Sequence, residues 1–197
     1  ADIPEDVLST KAYEGDASVR GMIEKYKELT GSAPIDILVH SVAFSPEIQK
    51  THLETSRGAY LTAASVGAYS LIALVREALP LMDGRGASVV GITYAASERV
   101  VPGYGGGMAS AKAALENDVR YLAHFAGKHG VRVNAVSPGP FPSRAARSIG
   151  DIQTMLDAVA AKSPLGRSIT AENVADTVLF LSSSMAAAIT GENIHID

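Results

Sequence analysis

The chain has 197 residues, 47% hydrophobic and 19% charged, with a formal net charge of -4. That is a globular composition with enough chain for one sizeable core, not a disordered segment. Its Lys and Arg residues are scattered, which argues against nucleic acid or an anionic membrane as partner. The lack of cysteine excludes disulfides, thiolate catalysis and cysteine metal sites.

The histidines His40, His52, His124, His129 and His195 fall in no ligand spacing, so no metal is expected. The opening residues, Ala1 to Asp6, are polar and acidic with no apolar signal core, so no targeting segment is expected. Asp16 is expected to cap a helix bearing Val19, Met22, Ile23 and Tyr26, ended by Thr30 and Gly31. After Pro34, Ile35 to Val39 reads as a buried strand with His40 at its end. A long helix is expected from about Ser56 to Leu79, stopped by Pro80. Within it, Gly58 to Val75 carry no formal charge, but the stretch is short for a bilayer and contains Thr62, Ser65 and Ser70. A helix buried in protein or at a subunit interface is the better reading. Asp83 to Gly86 is a turn, and Ser88 to Thr93 a second buried strand.

A polar, glycine-rich loop follows from Tyr94 to Gly107, then a helix from Met108 to Lys128 and a third strand from Val131 to Val136. Beyond a loop rich in Pro and Ser come a short helix over 151–161, a helix capped by Thr170 with Val174, Val178 and Leu181 on one face, and a last strand, Asn193 to Ile196. Strands alternating with long crossovers predict an α/β fold, a Rossmann-like doubly wound parallel sheet with right-handed crossovers. No first strand, glycine-rich phosphate turn or ribose selector precedes Ile35. Residues 1–197 are therefore expected to form a single but partial dinucleotide-binding domain, truncated chiefly at its N-terminus.

The chemistry concentrates between Thr93 and Lys112. Tyr94 and Tyr104 stand in the loop leaving a central strand, at the sheet edge where ligands bind. Gly105, Gly106 and Gly107 keep that loop from becoming helix, and Lys112 falls on the first turns of the helix after it. A nearby ammonium favours the phenolate and makes a tyrosine a better donor, and it can also hold ribose hydroxyls. A phenol aimed at an oxygen on which negative charge develops stabilises it. The Tyr–Lys pair alone also fits a plain structural loop, and the glycine triplet lacks the spacing of a phosphate loop.

The order of segments settles which reading to follow. Ile35 to Val39 ends in His40-Ser41, followed by Leu53-Glu54-Thr55-Ser56-Arg57, Ser97-Glu98-Arg99 and Pro102-Gly103-Tyr104-Gly105-Gly106-Gly107-Met108. Then come Ser110-Ala111-Lys112-Ala113-Ala114-Leu115-Glu116, Val131-Arg132-Val133-Asn134, Gly139-Pro140, Ser143-Arg144-Ala145-Ala146 and Ala188-Ile189-Thr190-Gly191. With seven residues between Tyr104 and Lys112, wider than in most short-chain dehydrogenases/reductases, this resembles the NADH-dependent enoyl-acyl-carrier-protein reductases, in particular the plant and apicomplexan plastid type.

That resemblance implies a catalytic set of Tyr104, Lys112 and Tyr94, with Tyr104 as proton donor or enolate stabiliser. It implies cofactor contacts, to NADH (NAD), from Ser41, Val42, Ala43, Lys112, Phe141 and Ser143. Substrate contacts would come from Tyr94, Tyr104, Met108, Ala145, Ile149, Ile152 and Met155, the last four on a substrate-binding segment over 143–161. It further implies an acyl-carrier protein as partner, a homotetramer, and a bacterial cytoplasmic or plastid stromal location. Pro138 stands where this reductase type usually has Ala. The rival readings are a carbonyl reductase such as a 3-ketoacyl reductase, which should show a shorter Tyr–Lys spacing and a serine partner, and a non-catalytic fragment or interaction module.

Overall fold

The computed structural model describes residues 16–143, 146 and 152–197, with residue 152 described by its backbone alone. The first helix, α1 (Val19–Thr30), starts at Ser18, whose hydroxyl accepts the Gly21 N–H at 3.1 Å. Asp16, the expected cap, instead accepts the Ser18 N–H at 2.9 Å. Ser18 takes the capping position because it holds the extended residue just before the first helical turn. Gly31 ends α1 in the left-handed conformation, φ 64°, and donates to the Lys27 carbonyl.

Strand β1 (Ile37–His40) leads to a 26-residue helix over Arg57–Met82. It divides into α2 (Arg57–Ala64), a π-helical turn (Ser65–Tyr69) and α3 (Ser70–Met82). Pro80 was the expected stop, but α3 runs through it to Met82. The missing N–H falls in the last turn, and Ala78 and Met82, both fully buried, hold that turn in the core. By length and composition Arg57–Met82 is apolar enough to cross a membrane. Its Leu71, Val75, Ala78 and Met82 nevertheless belong to the main core of the protein.

Next come β2 (Ser88–Ile92), α4 (Met108–Gly127), β3 (Arg132–Pro138), α5 (Ile152–Ala160), α6 (Ala171–Ser182) and β4 (Asn193–Ile196). The four strands form one parallel sheet in the order β1-β2-β3-β4, with Val90 opposite both Val39 and Asn134. Side chains alternate across it. Val89, Val133 and Ala135 face Leu71, Val75, Leu115 and Val119 of α3 and α4. Val90 and Val136 face Leu181, Val174 and Val178 of α6. Helices thus cover both faces of β2 and β3. Strand β1, expected to be buried, is covered on the Leu38 side alone, and its Ile37 and Val39 are exposed because α6 does not reach them.

One expectation about the crossovers needs correction. The strand order advances in one direction, and the β1–β2 and β2–β3 connections cross the face of α3 and α4, but β3–β4 crosses the opposite face. The β3–β4 crossover therefore has the opposite hand to the other two, and the right-handed rule does not hold throughout. The reason is apolar pairing: Val174, Val178 and Leu181 of α6 cover Val90, Val136, Ile92 and Ile194, whose face α3 and α4 do not reach.

Candidate active site

The carboxyl ends of β1, β2 and β3 lie side by side, and a cleft of about 390 Å³ opens over them. Into it project Ser41, Val42 and Ala43 after β1, Ile92, Thr93 and Tyr94 after β2, and Pro138 to Phe141 with Ser143 after β3. Lys112 rises from α4, Tyr104 from the loop before it, and Met155 from α5. Ligands of open parallel sheets bind at this edge.

The glycine triplet has a structural cause. Gly105 N–H donates to the Ile48 carbonyl at 2.8 Å, Gly106 N–H to the Lys50 carbonyl at 3.1 Å, and the Ser45 hydroxyl to the Gly106 carbonyl at 2.7 Å. A Cβ on Gly105 would fall 1.8 Å from the Lys50 carbonyl oxygen, and Gly106 and Gly107 have positive φ. Only glycines let the segment after β1 lie directly on this loop, and that contact aims Tyr104 back toward Tyr94. Their rings stand 5.0 Å apart at 58°.

Lys112 is buried, and its Nζ donates to the Ile92 carbonyl at 2.7 Å. Burial lowers it to about 8, with Glu116 opposing. The expectation that Lys112 lowers the Tyr104 phenol is not met. Burial pushes Tyr104 well above the ordinary tyrosine range, and neighbouring Tyr94 adds to the effect. Burial also raises Tyr94, against Arg99. Both phenols are therefore neutral hydrogen-bond donors, not poised acids.

Of the residues singled out in the sequence, Ser41, Val42, Ala43, Tyr94, Tyr104, Lys112, Phe141, Ser143 and Met155 line one cleft. Met108 does not; it is buried against Ala63, Ala111, Ile48 and Tyr104 and backs Tyr104 from the core. Ala145 and Ile149 lie outside the described residues, as does the side chain of Ile152. A second cleft of about 520 Å³ shares Tyr94, Pro138 to Pro140 and Met155 with the first and extends along Val100, Val101, Ala158 and Val159.

His40 is fully buried beside Ser70, with its Nε2 2.7 Å from the Ser70 hydroxyl, which donates to the Val66 carbonyl of the π-helical turn. Burial lowers His40 to about 4, with Lys112 adding to the effect. Glu116, quoted in the sequence only as part of the run from Ser110, has no role assigned there. The signal was its position four residues after Lys112, one turn along the same helix face.

A parallel sheet wound on both faces, with a tyrosine pair and a buried lysine over its carboxyl edge, defines a Rossmann-like α/β class. The family model described as "Enoyl-(Acyl carrier protein) reductase" matches residues 4–197. The chloroplastic enoyl-[acyl-carrier-protein] reductase [NADH] of Arabidopsis thaliana is 50% identical over 199 residues, which cover 100% of this chain and 50% of that protein. The enoyl-[acyl-carrier-protein] reductase [NADH] of Aquifex aeolicus is 44% identical, over 92% of this chain and 67% of that one. The crystal structure of the Plasmodium berghei enoyl-acyl-carrier-protein reductase with triclosan superposes at a TM-score of 0.91, with 42% identity, over 100% of this chain and 69% of that one. The chain belongs to the enoyl-(acyl carrier protein) reductase family, and it spans about half the length of its chloroplastic relatives.

Proposed function

We propose that the protein reduces trans-2-enoyl thioesters carried on an acyl-carrier protein, with NADH as reductant, in fatty-acid synthesis. The observation that carries this is the pair of neutral phenols, Tyr94 and Tyr104, 5.0 Å apart in one cleft with buried Lys112. The Arabidopsis thaliana and Aquifex aeolicus relatives, both NADH enoyl reductases, support the same substrate class.

The cleft fits the nicotinamide-ribose end of a dinucleotide. An ammonium has three N–H donors, and the one hydrogen bond to the Ile92 carbonyl leaves two for ribose hydroxyls. Ser41, Val42 and Ala43 are small and exposed, so a flat ligand can lie against the β1 end, with Phe141 and Ser143 on the other side. Bound NADH supplies hydride to the β-carbon of the substrate. Negative charge then gathers on the thioester oxygen, where the Tyr104 hydroxyl donates a hydrogen bond in a half-buried site that strengthens it, until a proton taken up at the α-carbon completes the saturated thioester. Tyr94 closes the cleft beside Tyr104. The apolar wall of Val100, Val101, Met155 and Val159 suits an acyl chain, each buried methylene contributing about 0.8 kcal/mol.

The partner is acyl-carrier protein, and the compartment is the bacterial cytoplasm or the plastid stroma. Assembly is a homotetramer, supported by exposed Tyr60, Leu61, Tyr121 and Phe125 on α2 and α4. Tyr104→Phe tests the chemical role: turnover should fall by about 100-fold or more while NADH affinity changes little. Equal loss of both would remove Tyr104 from the chemical step.

A further inference from the structure

Lys112 and Glu116 grip consecutive residues of one strand end. The Lys112 Nζ donates to the Ile92 carbonyl at 2.7 Å. One Glu116 carboxylate oxygen accepts from the Thr93 hydroxyl and from the Ser97 hydroxyl, each at 2.6 Å. Tyr94 lies between these two donors in the chain, one residue after Thr93. Glu116 is 7% exposed and Lys112 5%, so both act where water screens little.

We propose that Glu116 is a positioning residue for the reaction, its carboxylate fixing, together with Lys112 one helical turn earlier, the strand end that carries Tyr94 into the cofactor cleft. This rests on the dinucleotide reading of the cleft. A buried carboxylate tied to two hydroxyls is more than a packing group, because leaving it unpaired costs stability and any apolar residue would fill the space. Among the described residues, the titratable groups around Lys112 are few. Glu116 comes from its own helix, His40 from the end of β1, and Tyr104 and Tyr94 from the loop. His40 is neutral above about pH 4 and the phenols are raised. Glu116 is thus the neighbour that supports the ammonium near neutral pH.

The test is NADH affinity as a function of pH, read by cofactor fluorescence on the protein as encoded, including any sequence before Ala1. In the wild type, affinity should decline as pH rises through about 8. Glu116→Gln keeps the volume and an acceptor oxygen but removes the charge, so the decline should move down by about one pH unit. A decline at the unchanged pH would overturn the electrostatic role. The double variant Thr93→Val/Ser97→Ala leaves the charge and frees the strand end. Its binding decline should stay in place while turnover falls about tenfold, and unchanged turnover would overturn the positioning of Tyr94. This variant decides the positioning role if Glu116→Gln does not fold. No NADH binding by the wild type at any pH would instead sink the dinucleotide reading, and this proposal with it.

Discussion

At the scale of single residues, the site is built on titratable groups that burial moves away from their ordinary pKa values. Lys112 is the clearest case. The unfolded chain binds its proton with a pKa near 10.5, the folded protein at about 8, because burial disfavours the charge. Between those values the unfolded state carries more protons, so stability rises with pH; below pH 8 the full cost of the buried charge is present. Lys112→Met should therefore stabilise the fold near pH 7 by roughly 2 kcal/mol, and the gain should shrink toward pH 10. Denaturant unfolding at the two pH values checks this, and a variant less stable than wild type at pH 7 would mean that the hydrogen bond to Ile92 outweighs burial. His40 acts in the same direction at lower pH. With a folded value of about 4 against 6.5 unfolded, it weakens the fold as pH falls through that window, since only the unfolded chain takes up the proton.

At the scale of elements, the loop from Tyr94 to Met108 is shaped by a partner distant in sequence. The carbonyls of Glu47, Ile48 and Lys50 press against the glycine triplet, so its composition answers to packing and not to a ligand. Gly105→Ala should force the two segments apart, costing about 1–3 kcal/mol and displacing Tyr104. Gly127→Ala is the matched control: nothing lies within 4 Å of its Cβ. It sits at the end of α4 and should be neutral or mildly stabilising. Thermal unfolding of both variants, with turnover, separates the cases, and equal tolerance would show that the loop contact matters little. Helix ends governed by local chemistry were readable: the Thr170 cap and the Gly31 stop stand where propensity puts them. Pro80 and the π-helical turn were not. Whether a helix survives a proline near its end depends on Ala78 and Met82 reaching the core, and at the π-helical turn Ser70 meets His40, 30 residues away in the chain. Neither is a local property of the chain.

At the scale of the whole molecule, the alternation of strands and helices was enough to foresee a parallel sheet covered on both faces. It was not enough to give the hand of the last crossover. That depends on which face Val174, Val178 and Leu181 find uncovered, a fact about the assembled sheet. The cleft was legible because strand ends in an open sheet converge on one edge, so residues as separate as Ser41, Tyr94 and Phe141 meet there. The resemblance implies a substrate contact from Met108, yet the first turn of α4 directs it into the core. Glu116 was overlooked because its partners, Thr93 and Ser97, are brought to it only by folding. The most direct measurement is NADH oxidation by the protein as encoded, at saturating cofactor, comparing crotonyl and acetoacetyl thioesters. Consumption with the crotonyl thioester is the predicted result; consumption with the acetoacetyl thioester alone, or with neither, would contradict the assignment.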